Sequence, residues 1–214
     1  STRHRLLVLE DAAYRELRYQ GEDQPSLLAY DPEGQHVIYA GTFSKPLAPG
    51  IRTGYMIGPD DLLEQIVRLK GHHDFGSASL NQQLALAMIE SGSYDLHLAR
   101  LREVYAQKLA RVLQRLEQEL ADLSNRVSWT RPEGGLYVWM TLPESLSTDM
   151  TSHFFRDCLA AGVLYVPGNF CYPDHSEGVP RHFLRLSFGH QSIERCEEGV
   201  ARLAEVIRRY LTPR

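Results

Sequence analysis

The 214-residue sequence has few cysteines and no long hydrophobic run. No apolar stretch approaches the roughly 20 residues that cross a bilayer, so a membrane-spanning helix is not predicted. The three cysteines, Cys158, Cys171 and Cys196, are an odd number at wide spacings. That pattern argues against a disulfide framework and against a structural zinc site. We therefore expect free thiols in a cytosolic protein.

An excess of charge of one sign is also lacking. The chain has 23 Lys and Arg residues against 27 Asp and Glu residues, a net charge of -4, which gives nucleic-acid binding no bulk electrostatic support. Nine histidines are present, but the adjacent His72 and His73 point in different directions and lack a third ligand nearby, so no metal site is predicted. Residues 1–5 lead straight into a short apolar run, so we expect no secretory leader.

Strand and helix signals alternate along the first part of the chain, which is typical of an α/β layer. Apolar residues at helical spacing predict a long helix over about residues 94–123, with charged residues on its other face. A compact α+β unit is predicted beyond that helix. The predicted strands are 6–9, 36–40, 53–58, 126–130, 136–142, 163–166 and the segment around Arg185; the other predicted helices are 60–71, 80–91, 149–161 and a terminal helix with the inner stripe Ile193, Cys196, Val200, Leu203, Ile207 and Leu211.

The segment GTFSKPLAPGIR, residues 41–52, combines one lysine, two hydroxyls and one arginine at the end of a predicted strand. A lysine amine can condense with an aldehyde to form a Schiff base, and the Arg52 guanidinium can bind phosphate in a bidentate manner. The hydroxyls of Thr42 and Ser44 can donate hydrogen bonds to the same phosphate. Although a lone Ser-Lys pair is more typical of a surface loop, the whole set suits a phosphorylated aldehyde.

A second polar segment follows the first predicted strand. The apolar run of residues 6–9 suits a strand buried on both faces, and it ends in Glu10, Asp11 and, three residues after Asp11, Tyr14. An aspartate in this position can hold a protonated ring nitrogen, and the tyrosine can reach a ring oxygen. Taken alone, Asp11 is more typical of a helix N-cap or a turn. Together with the lysine segment, it favours a cofactor site.

Four segments in order carry a family resemblance: EDAAYREL (10–17), TFSKPLAPGIRTGY (42–55), PEGGLYVW (132–139) and RLSF (185–188). With them the chain resembles the fold-type I aminotransferases that use pyridoxal 5′-phosphate, in the branch of the 2-aminoadipate and kynurenine aminotransferases. The resemblance spans nearly the whole chain.

The resemblance implies a role for each matching residue. Lys45 matches the lysine that forms a Schiff base with the cofactor, Asp11 the partner of its pyridine nitrogen, and Tyr14 the tyrosine near its phenolic oxygen. The phosphate ligands match Thr42, Ser44 and Arg52, although the family more often has serine at the position of Thr42. Arg185 matches the arginine that binds the substrate α-carboxylate.

The alternation in residues 182–188 agrees with that role for Arg185. It puts Leu184, Leu186 and Phe188 on one face of a strand, with Arg185 and Ser187 on the other. Substrate choice stays open, because Phe75, Tyr137, Tyr165 and Phe170 fit either an apolar side-chain pocket or ordinary packing.

The function implied is transfer of an amino group from an amino acid to a 2-oxo acid through a Lys45 Schiff base, in a cytoplasmic homodimer of amino acid metabolism. The fold implied is the C-terminal part of a large cofactor-binding α/β domain, mostly a parallel sheet with helices, over residues 1–105. A small α+β domain follows over residues 106–214. Two alternatives remain: a pyridoxal-phosphate-dependent lyase, and the aminotransferase-like effector domain of a helix-turn-helix transcription regulator.

The resembled enzymes have a large N-terminal portion before the strand that carries Asp11. We therefore expect this chain to be a fragment of a larger enzyme. A sheet without its first strands leaves open edges and apolar faces. By itself, the chain is expected to bind the cofactor weakly and to turn over poorly.

Overall fold

A computed structural model describes residues 6–173 and 177–212. The expectation about a secretory leader concerns residues 1–5, which lie outside the described residues. Contacts divide the chain into two compact units, unit 1 (Ser1–Glu103) and unit 2 (Val104–Arg214). The predicted α/β fold class is confirmed. That the units are the cofactor-binding and small domains, split at 105/106, stays a prediction.

Unit 1 contains a three-stranded sheet. Its strands are β1 (Val8–Asp11), β2 (Val37–Thr42) and β3 (Gly54–Ile57), in the order β1-β2-β3. β1 runs parallel to β2, and β3 runs antiparallel to it. All three predicted strands are present, but β1 starts two residues later than predicted and reaches Asp11.

The expectation that β1 is buried on both faces was wrong for this chain. Leu7 and Leu9 are 57% and 62% exposed, whereas Val8 is half-buried. The reason is that no element among the described residues covers the face of the sheet on which Leu9 lies. An apolar run alone does not reveal whether its second face has a partner layer.

Three helices follow the sheet: α1 (Asp60–Asp74), α2 (Ser79–Glu90) and α3 (Ser93–Glu119). The prediction that α1 stops at Gly71 was wrong, because a glycine in a helix costs only about 1 kcal/mol and does not end it. The helix instead ends at Asp74 and is capped by Phe75, whose φ of 56° is left-handed. α3 starts as predicted but stops at Glu119, and Ala121–Leu123 form a short 3-10 helix.

Unit 2 contains an antiparallel sheet of β4 (Ser128–Trp129), β5 (Tyr137–Thr141), β6 (Val166–Pro167) and β7 (Phe183–Ser187), in the order β4-β5-β7-β6. Two helices accompany it, α4 (His153–Ala160) and α5 (Ile193–Leu211). The strands predicted at 126–130 and 163–166 are reduced to two residues each, and α4 begins four residues later than predicted because Ser152 caps it.

The core of unit 2 forms around α5 and the sheet. Four members of the predicted α5 stripe are buried, namely Val200, Leu203, Ile207 and Leu211, together with Val138, Met140 and Leu184 of the sheet. Cys196, a fifth member of the stripe, is half-buried. The amphipathic spacing therefore predicted the buried face of this helix correctly for most of its length.

Unit 1 buries fewer large side chains. Its buried apolar residues are Leu17, Val37, Tyr39, Ile51, Ala85 and Leu98. Large apolar side chains on α1 and α2 are exposed instead, with Leu69 at 71% and Leu80 at 80%. The apolar faces expected from the sequence are thus present on this unit.

In the part of the chain that the structure describes, no helix is both long and apolar enough to cross a membrane. Among the same residues, no three His, Cys, Asp or Glu side chains are grouped closely enough to hold a metal ion. Cys158, Cys171 and Cys196 are free thiols.

Candidate active site

The loop that joins β2 to β3, residues 43–53, carries the predicted lysine and is called the lysine loop below. Its ends are joined because Phe43 N donates to the Thr53 carbonyl at 3.0 Å. Inside it, Leu47 N and Ala48 N both donate to the Phe43 carbonyl, at 3.0 and 3.1 Å. These bonds fold the chain into a tight turn around Lys45.

Thr42 and Ser44 lie where β2 enters this turn. The Thr42 hydroxyl accepts a hydrogen bond from Ser44 N at 3.0 Å and donates to the Thr53 carbonyl at 3.4 Å. Thr42 thus fixes the turn through its hydroxyl. An alanine or valine, which has no hydroxyl, could not make these two bonds. The structure places its hydroxyl in contact with the backbone of the lysine loop.

Arg52, the next-to-last residue of the loop, has a left-handed conformation, with φ 48° and ψ 35°. A non-glycine residue pays about 1–2 kcal/mol for this conformation, so neighbouring contacts must hold it there. Its Nη1 lies 3.4 Å from the Ser44 hydroxyl and 3.5 Å from the Pro49 carbonyl. A guanidinium and a serine hydroxyl, both donors to an anion, are therefore adjacent.

Asp11 and Tyr14 follow β1 next to this loop. Asp11 is paired with Ala40 in the parallel ladder, and its exposed carboxylate accepts a hydrogen bond from Ala13 N at 3.1 Å. Asp11 therefore stabilises a turn, which is the role that this residue type suggested when it was considered alone. The Lys45 amine lies 5.5 Å from the centroid of the Tyr14 ring, so the structure brings these two predicted residues together.

Aromatic rings line the same part of unit 1. The ring of Tyr55 lies 6.1 Å from that of Tyr39 and 5.6 Å from that of Phe43, and the Phe43 ring lies 6.1 Å from that of Tyr94. Burial raises the pKa of both Tyr39 and Tyr94 to about 12, so both hydroxyls are neutral at pH 7. The Tyr55 ring covers Gly41 so closely that a β-carbon there would lie 2.4 Å from it.

Two helix residues that the sequence did not single out bind the lysine loop. Asn81 of α2 donates from Nδ2 to the Ile51 carbonyl at 2.9 Å. His97 of α3 donates from Nε2 to the Leu47 carbonyl at 3.1 Å. Both lie 30 or more residues beyond their partners, so no local spacing pattern reveals them.

Arg185 lies in unit 2, at the centre of β7 between β5 and β6. Its guanidinium carbon is 4.2 Å from the centroid of the Tyr137 ring. Its Nε is buried and has no hydrogen-bond partner among the described residues. On the predicted apolar face, Leu184 and Phe188 are buried and Leu186 is half-buried. On the other face, Arg185 is half-buried and Ser187 is exposed.

Comparison with known proteins then identifies the family. The family model for aminotransferase class I and II matches residues 1–203. The chain belongs to the class I and II aminotransferases. The resemblance inferred from the four sequence segments is thereby confirmed.

Individual members of the aminotransferase family match over most of this chain. It is similar to aromatic-amino-acid aminotransferase 1 of Thermococcus litoralis, with 35% identity over 97% of this chain and 48% of that protein. It is also similar in structure to the α-aminoadipate aminotransferase LysN of Thermus thermophilus, solved with N-(5′-phosphopyridoxyl)-L-leucine. That match has a TM-score of 0.87 and 35% identity, and it covers 98% of this chain and 52% of that one.

A transcription regulator matches as well. The chain is 32% identical to the uncharacterised HTH-type regulator YisV of Bacillus subtilis, over 99% of this chain and 41% of that protein. The chain spans about half the length, or less, of the curated relatives it matches.

Proposed function

We propose that the protein containing this chain is a pyridoxal-phosphate-dependent aminotransferase that moves an amino group from an amino acid to a 2-oxo acid. One observation carries the proposal: a single loop presents the Lys45 amine and, seven residues later, the Arg52 guanidinium beside the Ser44 hydroxyl. An amine and hydrogen-bond donors for an anion on one loop suit an aldehyde that bears a phosphate.

The residues of unit 1 fit the cofactor by their chemistry. Arg52, Ser44 and Thr42 are the groups that would hold the phosphate, and Asp11 is the carboxylate that would face the ring nitrogen. Tyr14, beside the Lys45 amine, is the hydroxyl that would face the ring oxygen. When bound, the cofactor supplies an aldehyde and a ring that accepts electrons.

Each side chain has a defined task in this proposal. The Lys45 amine would bind the cofactor's aldehyde carbon and, once the substrate's amino group has displaced it, would carry a proton as a general base and acid. The Asp11 carboxylate keeps a proton on the ring nitrogen by charge pairing. Arg52 neutralises phosphate charge and fixes the orientation of the bound ring.

Arg185 is proposed to bind the substrate α-carboxylate. Its buried Nε has no acceptor among the described residues, and leaving a buried charged donor unpaired costs about 1–3 kcal/mol or more. A carboxylate would satisfy it with a charge-assisted bond. The Tyr137 ring, 4.2 Å from the guanidinium carbon, fixes the plane in which such a carboxylate binds.

Modification of Lys45 tests the proposal. Borohydride reduction of the protein with pyridoxal phosphate should leave a phosphopyridoxyl group on Lys45, identified by peptide mass spectrometry. Lys45→Ala should remove both this label and turnover. As a control, Lys70→Ala should keep both, because Lys70 pairs with Asp74 on α1. Labelling of another lysine in the wild type would contradict the assignment.

A second candidate function is the effector domain of a transcription regulator, which the match to YisV favours. Such a domain would use the same residues to bind cofactor and amino acid without turnover. The two functions are separated by measuring 2-oxo acid formation and by sequencing the gene upstream of Ser1 for a helix-turn-helix region.

Assembly and location complete the proposal. A homodimer would cover exposed apolar side chains of unit 1, such as Leu69 and Leu80. A cytoplasmic place in amino acid metabolism agrees with the three free thiols.

A further inference from the structure

We infer that Asn81 is a positioning residue for Arg52 and that His97 holds the turn of the lysine loop that carries Lys45. This inference rests on the proposed function, because it assigns to two helices the task of keeping the phosphate donors in place. Neither residue is one of those that the family resemblance marks as binding cofactor or substrate.

The contact of Asn81 bears directly on the strained residue. The Ile51 carbonyl belongs to the peptide plane that precedes Arg52, so its direction helps to set the φ angle of Arg52. This oxygen accepts two hydrogen bonds, from Asn81 Nδ2 at 2.9 Å and from Thr53 Oγ1 at 3.0 Å. With both lone pairs engaged, the plane cannot rotate freely, and Arg52 keeps its φ of 48°.

The contact of His97 lies in the turn that carries Lys45. The Leu47 carbonyl, two residues beyond Lys45, accepts from His97 Nε2 at 3.1 Å, while Leu47 N donates back to Phe43. Both backbone polar groups of Leu47, its N–H and its carbonyl, are therefore hydrogen-bonded, which holds the turn that carries Lys45. Because a carbonyl oxygen only accepts, His97 Nε2 is the donor in this hydrogen bond.

The helix α3 also holds the second polar segment of the site. Arg102, five residues after His97, donates from Nε to the Glu16 carbonyl at 2.8 Å and approaches the Glu16 carboxylate at 3.4 Å. Glu16 lies two residues beyond Tyr14. α3 therefore binds the backbone at Glu16, two residues after Tyr14, and the backbone at Leu47, two residues after Lys45. The Lys45 amine itself lies 5.5 Å from the centroid of the Tyr14 ring.

Hydrogen exchange in the absence of cofactor tests whether these contacts hold the loop. Amides of residues 43–53 should exchange several-fold faster in Asn81→Ala and in His97→Ala than in the wild type. His97→Gln should restore slow exchange, because a glutamine amide can donate to the same carbonyl. Gln82→Ala, at an exposed position beside Asn81 on α2, is the matched control and should not change the rates. Unchanged rates in both alanine variants would overturn the inference.

A comparison of two ligands tests the action through Arg52. Asn81→Ala should bind pyridoxal phosphate about three- to tenfold more weakly, the range expected for one hydrogen bond. Its affinity for pyridoxal, which has the aldehyde but lacks the phosphate, should not change. In an Arg52→Ala background, Asn81→Ala should have no further effect on the ratio of the two affinities. A parallel loss for both ligands would show a merely structural role and overturn the inference.

The wild type provides the separate control on the proposed function. If it binds pyridoxal and pyridoxal phosphate equally, the phosphate role of the loop is wrong, and the positioning role falls with it. A clear preference for the phosphate form in the wild type, retained in Asn81→Ala, would contradict the positioning role alone.

Discussion

At the scale of single residues, the strands that carry the predicted functional side chains depend on residues at which two segments of backbone pass very close to each other. Gly168 is one of them. A β-carbon at this position would lie 2.4 Å from Phe183 Cβ and 2.8 Å from the Phe183 carbonyl oxygen. Only glycine lets the chain after β6 pass this close to β7, the strand that carries Arg185.

We expect Gly168→Ala to destabilise the protein by about 1–3 kcal/mol, because backbone and not a flexible side-chain end must move. Gly199→Ala is the control. Nothing lies within 4 Å of its added β-carbon, and it sits inside α5, where alanine is favoured over glycine by about 0.5–1 kcal/mol. Denaturant unfolding of the two variants should give shifts of opposite sign.

Asp31 gives a pH-dependent contribution at the start of β2. Its carboxylate accepts hydrogen bonds from His36 N at 2.7 Å and Val37 N at 2.8 Å, and these bonds lower its pKa. A lowered folded-state pKa stabilises the fold above the unfolded value, about 3.9, and this contribution is lost as the pH falls through the lower folded value.

We therefore expect Asp31→Ala to lower the unfolding midpoint by a constant amount at pH 5–8. The difference from the wild type should shrink as the pH falls below about 4. Thermal unfolding across pH 2–8 measures it, with Glu33→Ala, an exposed neighbour, as the control. A difference that grows in acid would contradict this account.

At the scale of elements, caps and turns set the limits of helices more than composition does. α4 begins at His153 because the Ser152 hydroxyl accepts from Phe155 N at 3.0 Å and donates to the Asp149 carbonyl at 2.6 Å. α1 passes through Gly71 because no cap or packing conflict ends it there. Both boundaries depend on backbone geometry that the residue pattern predicted only to within four residues.

Ser152→Ala should cost about 1 kcal/mol, the usual value for loss of an N-cap. Ser124→Ala changes an exposed serine outside the helices of unit 2 and should have no measurable effect. Chemical denaturation with far-ultraviolet circular dichroism compares the two, and equal midpoints would show that the cap does not determine the start of α4.

At the scale of the whole chain, the distribution of exposed apolar side chains predicts association. Large exposed apolar residues are concentrated on unit 1, chiefly in β3, α1 and α2. Monomeric proteins rarely leave large apolar patches in contact with water. We expect the purified 214-residue chain to associate in a concentration-dependent manner and to bind an apolar dye.

Substitution on unit 1 tests that expectation. Leu69→Lys combined with Leu80→Lys should reduce both association and dye binding, since both side chains are more than two-thirds exposed. Leu164→Lys, at a similarly exposed position of unit 2 (73%), is the control. Sedimentation velocity that shows a monomer at all concentrations would contradict the expectation.

Much of the fold followed from sequence patterns. The order of strands and helices, the buried stripe of α5 and the face of Arg185 all follow from periodicity, because a period of two or 3.6 residues decides which side chains share a face. The two-sided burial of β1 did not follow, because burial on a second face depends on a layer elsewhere.

The sequence by itself determined the family and the chemical types at the site: an amine, two hydroxyls and a guanidinium in residues 42–52, and a carboxylate and a phenol in residues 11–14. The members of each group lie within a few residues of one another, so they can be recognised in a short stretch of sequence. The tertiary structure alone decided how Arg52 is held in its left-handed conformation, which helix residues bind the lysine loop, and that Nε of Arg185 is buried. The bonds from Asn81 and His97 join residues 30 or more positions apart, and only the folded chain brings such residues within hydrogen-bonding distance.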